Sequence, residues 1–312
     1  MYNAVVRSLL LYLLFFPFST SFATSKTTLN VVTSIKPLYG ITQFLMQGVG
    51  TPHLLLNTTT SPHTYRLRPS QIKILHSADL IIWVSPQIES FLQKPLSQLD
   101  NSKQLQLINE KSMHRLPARQ GGEWSHSHHE HEHHDLHEKE AIHIDPHLWL
   151  SPKNGIQIAQ SISAHLQQHD PKNKTIYQKN TLQFIKIVEG INTELTQQLA
   201  SVRAQPFLVF HDAYQYFEQA YQLNAVGTIT ISPEQNPSAK RLHKLKQRIQ
   251  TMQVSCLFAE PQFKNKIVKL LHQETQIKTA WLDPIGMGLA TDKNSYFELL
   301  RHLSLQIKNC LQ

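Results

Sequence analysis

Four side chains stand where strands end or loops begin, the places where binding chemistry is most readily built. They are His63 in Ser61-Pro62-His63-Thr64-Tyr65, His147 in Asp145-Pro146-His147-Leu148-Trp149, His211 in Val209-Phe210-His211-Asp212, and Asp283 in Leu282-Asp283-Pro284. In open α/β sheets, ligands bind beyond the carboxyl ends of the strands. Three imidazoles with one oxygen ligand suit Zn²⁺, which takes nitrogen, sulfur and oxygen donors in tetrahedral geometry. Manganese prefers more oxygen. Each histidine taken alone is more often a hydrogen-bonded structural residue, and the spacing by itself does not make the four converge. The fold has to do that.

The elements that would position them alternate along the chain. Apolar runs at 29–34, 51–57, 79–84 and 105–108 read as strands, and helical spacing fills 35–48, 69–76 and 88–99, the last interrupted at Pro95. The run at 79–84 is continuously apolar, as a buried parallel strand is. A helix follows at 153–169. Asp170-Pro171 then reads as a helix start, with Asp as N-cap and Pro in the first position. From there to about Val202 an apolar stripe near helical spacing predicts one helix of roughly 30 residues, about 45 Å long. A second series repeats the pattern, with strands at 206–210, 224–229, 256–259 and 280–282 and helices at 214–221, 239–252, 261–274 and 296–311. The expectation is an α/β fold. It has two similar lobes with mainly parallel sheets joined by a single long helix, and a metal site in the inter-lobe cleft.

Histidine is the unusual residue, 19 of 312. Seven of them, His126, His128, His129, His131, His133, His134 and His137, interleave with Glu130, Glu132 and Asp135 in a tract with almost no apolar side chains. Residues 114–143 are therefore expected to form a disordered loop, because they bury too little surface to offset their ordering entropy. Such a tract binds divalent metal weakly and in many geometries. Capture or buffering beside the cleft is one reading and a passive solvated insert the other; loose positioning argues against catalysis. Apolar residues make up 40% of the chain, enough for sizeable cores, and the formal charge is +8. The Lys and Arg residues are scattered, without a dense basic block and interleaved aromatics, so nucleic acid is not an expected partner. Residues 240–248 read as a solvated helix face.

The first residues read as a signal peptide: Arg7, an apolar run at 9–16, Pro17 and Ser19, then Ser21-Phe22-Ala23 as a cleavage site after about Ala23. The run is short for a bilayer span, which needs about 20 residues. The expected organisation is a signal peptide at 1–23, an N-terminal lobe at 24–169, a connecting helix at 170–203 and a C-terminal lobe at 204–312. Cys256 and Cys310 are the only cysteines. Export favours a bridge between them, worth roughly 4 kcal/mol on chain entropy, with two free buried thiols as the alternative.

Read together, Ser61-Pro62-His63-x-Tyr65-x-Leu67-Arg68-Pro69-Ser70, Ala78-Asp79-Leu80-x-x-Trp83, Asp145-Pro146-His147-x-Trp149-Leu150-Ser151-Pro152, Phe210-His211-Asp212-Ala213-Tyr214 and Leu282-Asp283-Pro284 resemble, in order, the zinc substrate-binding proteins of ABC importers, the ZnuA type. The likeness spans essentially the whole mature chain, and the His-rich insert sits where that family carries one. The resemblance implies His63, His147 and His211 as ligands of a zinc ion in the cleft. His211 stands where manganese-binding relatives carry a carboxylate. Some zinc members place Glu before the first His, but Pro62 stands there; Asp283 or water is then the fourth ligand. The resemblance also implies paired cysteines in the second lobe. It implies a periplasmic monomer that captures zinc and delivers it to a membrane ABC permease, which 240–248 could also face. The alternatives are a manganese-binding importer subunit and a metal-dependent surface adhesin. An enzyme is not expected, because no HExxH motif or positioned general base is evident.

Overall fold

The computed structural model describes residues 28–57, 60–124, 143–231, 233, 236–264 and 266–312. The signal peptide and the seven histidines of the tract lie outside these residues. The first sheet comprises β1 (Val31–Thr33), β2 (His53–Leu54), β3 (Leu80–Trp83) and β4 (Gln104–Gln106), in the order β2-β1-β3-β4. The second comprises β5 (Phe207–Val209), β6 (Ala225–Thr228), β7 (Cys256–Ala259) and β8 (Lys278–Trp281), in the order β6-β5-β7-β8. All pairings are parallel. The two sheets therefore repeat one topology, as the doubled strand–helix pattern predicts.

The helices of the first half are α1 (Lys36–Leu45), α2 (Pro69–Ser77), α3 (Ser90–Leu96) and α4 (Pro152–His169). Pro95 lies inside the last turn of α3, which runs on to Leu96, and Ser97 N still donates to Gln93 O at 3.1 Å. The connector α5 (Lys174–Leu199) is shorter than its apolar stripe, because 3₁₀ turns at Pro171–Asn173 and Ala200–Val202 flank it. Asp170 makes no side-chain cap. Its carboxylate instead accepts from Asn173 Nδ2 at 2.6 Å and Tyr177 Oη at 2.8 Å. The second half adds α6 (Gln215–Tyr221), α7 (Ala239–Thr251), α8 (Lys266–Thr275) and α9 (Ser295–Leu311). Among the described residues no helix is long and apolar enough to cross a membrane.

In each sheet the strand side chains alternate between a core common to both sheets and a core of the sheet's own. Val31 and Ile82 of the first sheet, and Phe207, Val209 and Phe258 of the second, enter one apolar cluster that runs through α5 and α9. Val32, Ile81 and Trp83 enter a separate cluster under α2 and α3, and Leu208 and Leu257 another under α7 and α8. Burial on both faces is why these strands read as unbroken apolar runs. Trp281 lies on the edge strand β8 and is 50% exposed.

The last helix returns across the molecule. α9 packs on α1 and α5. The approach needs glycine, since a Cβ at Gly40 would lie 2.4 Å from Ser295 Oγ and one at Gly155 2.0 Å from Tyr296 Oη. The far end of α9 is tied to β7 by the Cys256–Cys310 disulfide, with Cα atoms 5.9 Å apart.

The insert expected to be disordered from residue 114 is folded as far as Trp124. His114 N donates to Asn154 Oδ1, and Pro117 bridges antiparallel to Ile144. Gly122 O accepts from Thr228 N at 2.9 Å, and Trp124 N donates to Val226 O at 3.2 Å, laying this segment antiparallel on β6. Arg241 and Arg248 of α7 cap its carbonyls at Gly121, Gly122 and Trp124. The side chain of Trp124 lies against Arg119, 3.4 Å from ring centroid to guanidinium carbon. This segment carries the apolar and cationic anchors that the adjoining His/Glu tract lacks.

Candidate metal centre

His63, His147 and His211 come together. One ring nitrogen from each lies within 4.8 Å of the others, and the ring centroids are 5.4–6.0 Å apart. His63 sits in a 3₁₀ turn, Pro62–Thr64, that Ser61 caps by accepting from His63 N at 3.3 Å. His147 precedes the 3₁₀ turn Leu148–Leu150 that leads into α4. His211 follows the carboxyl end of β5. The strand-end rule thus holds in the second lobe, and turns complete the site from the first.

Two of the rings are held from behind. Asp145 Oδ1 lies 2.8 Å from His147 Nδ1 and also accepts from His147 N at 3.0 Å. Glu260 Oε1 lies 2.6 Å from His211 Nδ1. A carboxylate on Nδ1 fixes the tautomer that leaves Nε2 with a lone pair for a metal. His211 Nε2 is buried with no hydrogen-bond partner among the described residues. An orphaned buried acceptor is costly unless something binds it.

Electrostatics separates the two rings. Burial holds the His147 pKa down to about 3, with the charge of His211 adding to the effect. Burial also opposes charge on His211, but Glu260, together with Asp212 and Asp145, outweighs it and raises that pKa. Burial pushes the Glu260 carboxyl up in turn, against His211. Glu260 thus favours a proton on the His211 ring nitrogen that faces it, while burial keeps His147 neutral and ready to ligate.

The cavity enclosed by the rings has a volume of about 10 Å³, room for a single ion or water. Ile88, Trp149, Phe263 and Ile285 give it an apolar wall. Trp149 Nε1 donates to Pro284 O at 2.7 Å, joining the lobes beside it, and within the second lobe Tyr214 Oη donates to Leu282 O at 2.9 Å. Tetrahedral Zn–N bonds of 2.0–2.1 Å place nitrogens about 3.3 Å apart, so the rings need only a small inward shift to close on the ion.

The structure does not bring Asp283 into this group. Its Oδ1 accepts from Gln262 Nε2 at 2.6 Å, Ile285 N at 3.1 Å and Gly286 N at 3.0 Å, and its Oδ2 from Met287 N at 2.5 Å. The carboxylate organises the turn after β8 instead. Sequence reasoning missed Glu260 and Gln262, which line the cavity. Glu260 directly follows β7 and was open to the same strand-end rule that found His211. Asp145 lay inside a quoted motif without a role assigned to it.

The family model described as zinc-uptake complex component A, periplasmic (ZnuA), matches residues 31–310. The high-affinity zinc uptake system protein ZnuA of Brucella abortus (strain 2308) is 36% identical over 307 residues, covering 90% of this chain and 91% of the relative. A crystal structure of ZnuA aligns with a TM-score of 0.75 at 25% identity, covering 91% of this chain and 100% of that one. A mutant structure of the laminin-binding adhesin Lmb from Streptococcus agalactiae aligns with a TM-score of 0.73 at 24% identity, covering 91% and 100%.

Proposed function

Because this chain belongs to the ZnuA family of periplasmic zinc-uptake components, we propose that it captures zinc with His63, His147 and His211 in the periplasm and hands it to a membrane ABC permease. The observation that carries this reading is the convergence of three ring nitrogens within 4.8 Å, one of them buried and unpartnered, around a space of ion size. Zinc is the cargo. Neutral imidazoles ligate it, and the apolar wall keeps competing water away. Nitrogen donors favour zinc over manganese, which prefers oxygen. The His-rich tract at 125–142 serves as an accessory that gathers metal near the cleft. The likeness to the streptococcal adhesin is one of fold and brings no attachment role to this chain.

Calorimetric titration with zinc and manganese tests the proposal. The chain to use is the mature protein without residues 125–142, since 114–124 are part of the fold. One tight zinc site per chain, out-competing manganese and abolished by His147→Ala, is expected. No tight site in that chain would place the metal in the tract and remove the chemical basis of the cleft reading.

A further inference from the structure

Three imidazoles leave one corner of a tetrahedral ion open. Pro62 has no donor to offer, and the Asp283 carboxylate is engaged by four hydrogen bonds. On the cavity wall, two buried side-chain oxygens have no hydrogen-bond partner among the described residues: Glu260 Oε2 and Gln262 Oε1. Glu260 is spoken for. Its other oxygen lies 2.6 Å from His211 Nδ1, on the side of the ring opposite Nε2, so this carboxylate stands behind the ligand.

That leaves the Gln262 amide, and Asp283 dictates how it is turned. An ionised carboxylate only accepts hydrogen bonds, so Gln262 must present its NH₂ group to Asp283 Oδ1, 2.6 Å away. The amide oxygen is then directed away from Asp283 with nothing to receive. Three backbone amides hold Asp283 itself still. We propose that Gln262 Oε1 is the oxygen that faces the fourth position of the bound ion, with Asp283 setting the orientation of the amide. This rests on the zinc reading above and gives Asp283 a positioning role in place of ligation.

The test uses the full mature chain with Zn²⁺ and, as a spectroscopic stand-in, Co²⁺. Gln262→Leu keeps much of the volume and removes the oxygen. Expected are a loss of zinc affinity of about 10-fold or more, since partners of the ligands alone are worth about 10–100-fold, and a changed visible spectrum of the cobalt-loaded chain. Urea unfolding of the metal-free variant should match the wild type, and Gln262→Ala is read the same way if Gln262→Leu proves unstable. Unchanged zinc affinity with an unchanged cobalt spectrum would overturn the role of Gln262 while leaving the three-histidine site standing. A wild-type chain that binds no zinc tightly would overturn both.

Discussion

Replacing His211 by a carboxylate is the direct way to shift the donor set toward manganese. Here it should fail by itself, because of Glu260. That carboxylate is 1% exposed and lies 2.6 Å from the ring it would lose. In His211→Glu two carboxyl groups would face each other in a buried site, and one must keep its proton. Holding a carboxyl of ordinary pKa 4.5 neutral costs about 1.4 kcal/mol per pH unit above that value. The penalty is then about 5 kcal/mol at pH 8 and about 1.4 kcal/mol at pH 5.5. Urea unfolding of the metal-free chain at both pH values measures it. The double variant His211→Glu/Glu260→Gln removes one charge and lets the new amide donate to the new carboxylate, so it should regain most of the loss at pH 8. The coupling follows from a double-mutant cycle. A loss equal at both pH values, or a double variant no more stable than the single one, would refute the reasoning.

Three further outcomes follow from the packing. Burial raises the Glu89 carboxyl from 4.5 to about 7, against hydrogen bonds from Ser34, Ser85 and Val84. The folded chain therefore holds this proton more tightly than the unfolded one. The resulting stability, about 3 kcal/mol, is complete below pH 4.5 and lost as pH rises to about 7; Glu89→Gln should flatten the unfolding profile across that window. Gly155→Ala drives a methyl into Tyr296 Oη, which donates to Trp149 O. It should cost about 1–3 kcal/mol in urea unfolding despite alanine's better helix propensity, and an unchanged midpoint would mean that α9 yields freely. Reducing Cys256–Cys310, whose loop spans a sequence separation of 54, should lower stability by about 4 kcal/mol, read by unfolding with and without reductant.

Much of this was legible because the strands are buried on both faces. Runs such as 79–84 declare themselves, and the strands deliver His211 to a predictable place. The three histidines were found from their positions and from the order of their motifs. The less legible parts depend on which element meets which. The apolar stripe of α9 shows that it packs, but not that it crosses to α1 and α5. The apolar stripe overstates the length of α5, because it continues unchanged through the 3₁₀ turns at each end. Asp283 has the right residue type at the right place for a ligand, and only the backbone amides of the following turn reveal what its oxygens do. Residues 114–124 look like the tract they precede, yet Trp124, Arg119 and the arginines of α7 hold them.

The antiparallel strip at 121–124 has a consequence for the sheet it joins. β6 is the terminal strand of its sheet, and such a strand offers unpaired amides and carbonyls to any other extended chain. Gly122 and Trp124 occupy those of Val226 and Thr228, and Arg241 and Arg248 hold the strip in place through the carbonyls of Gly122 and Trp124. The stem of the tract thus covers the β6 edge of the sheet. A deletion that begins at residue 114 uncovers this β edge, and chains lacking the stem should pair with one another through it, whatever their affinity for zinc.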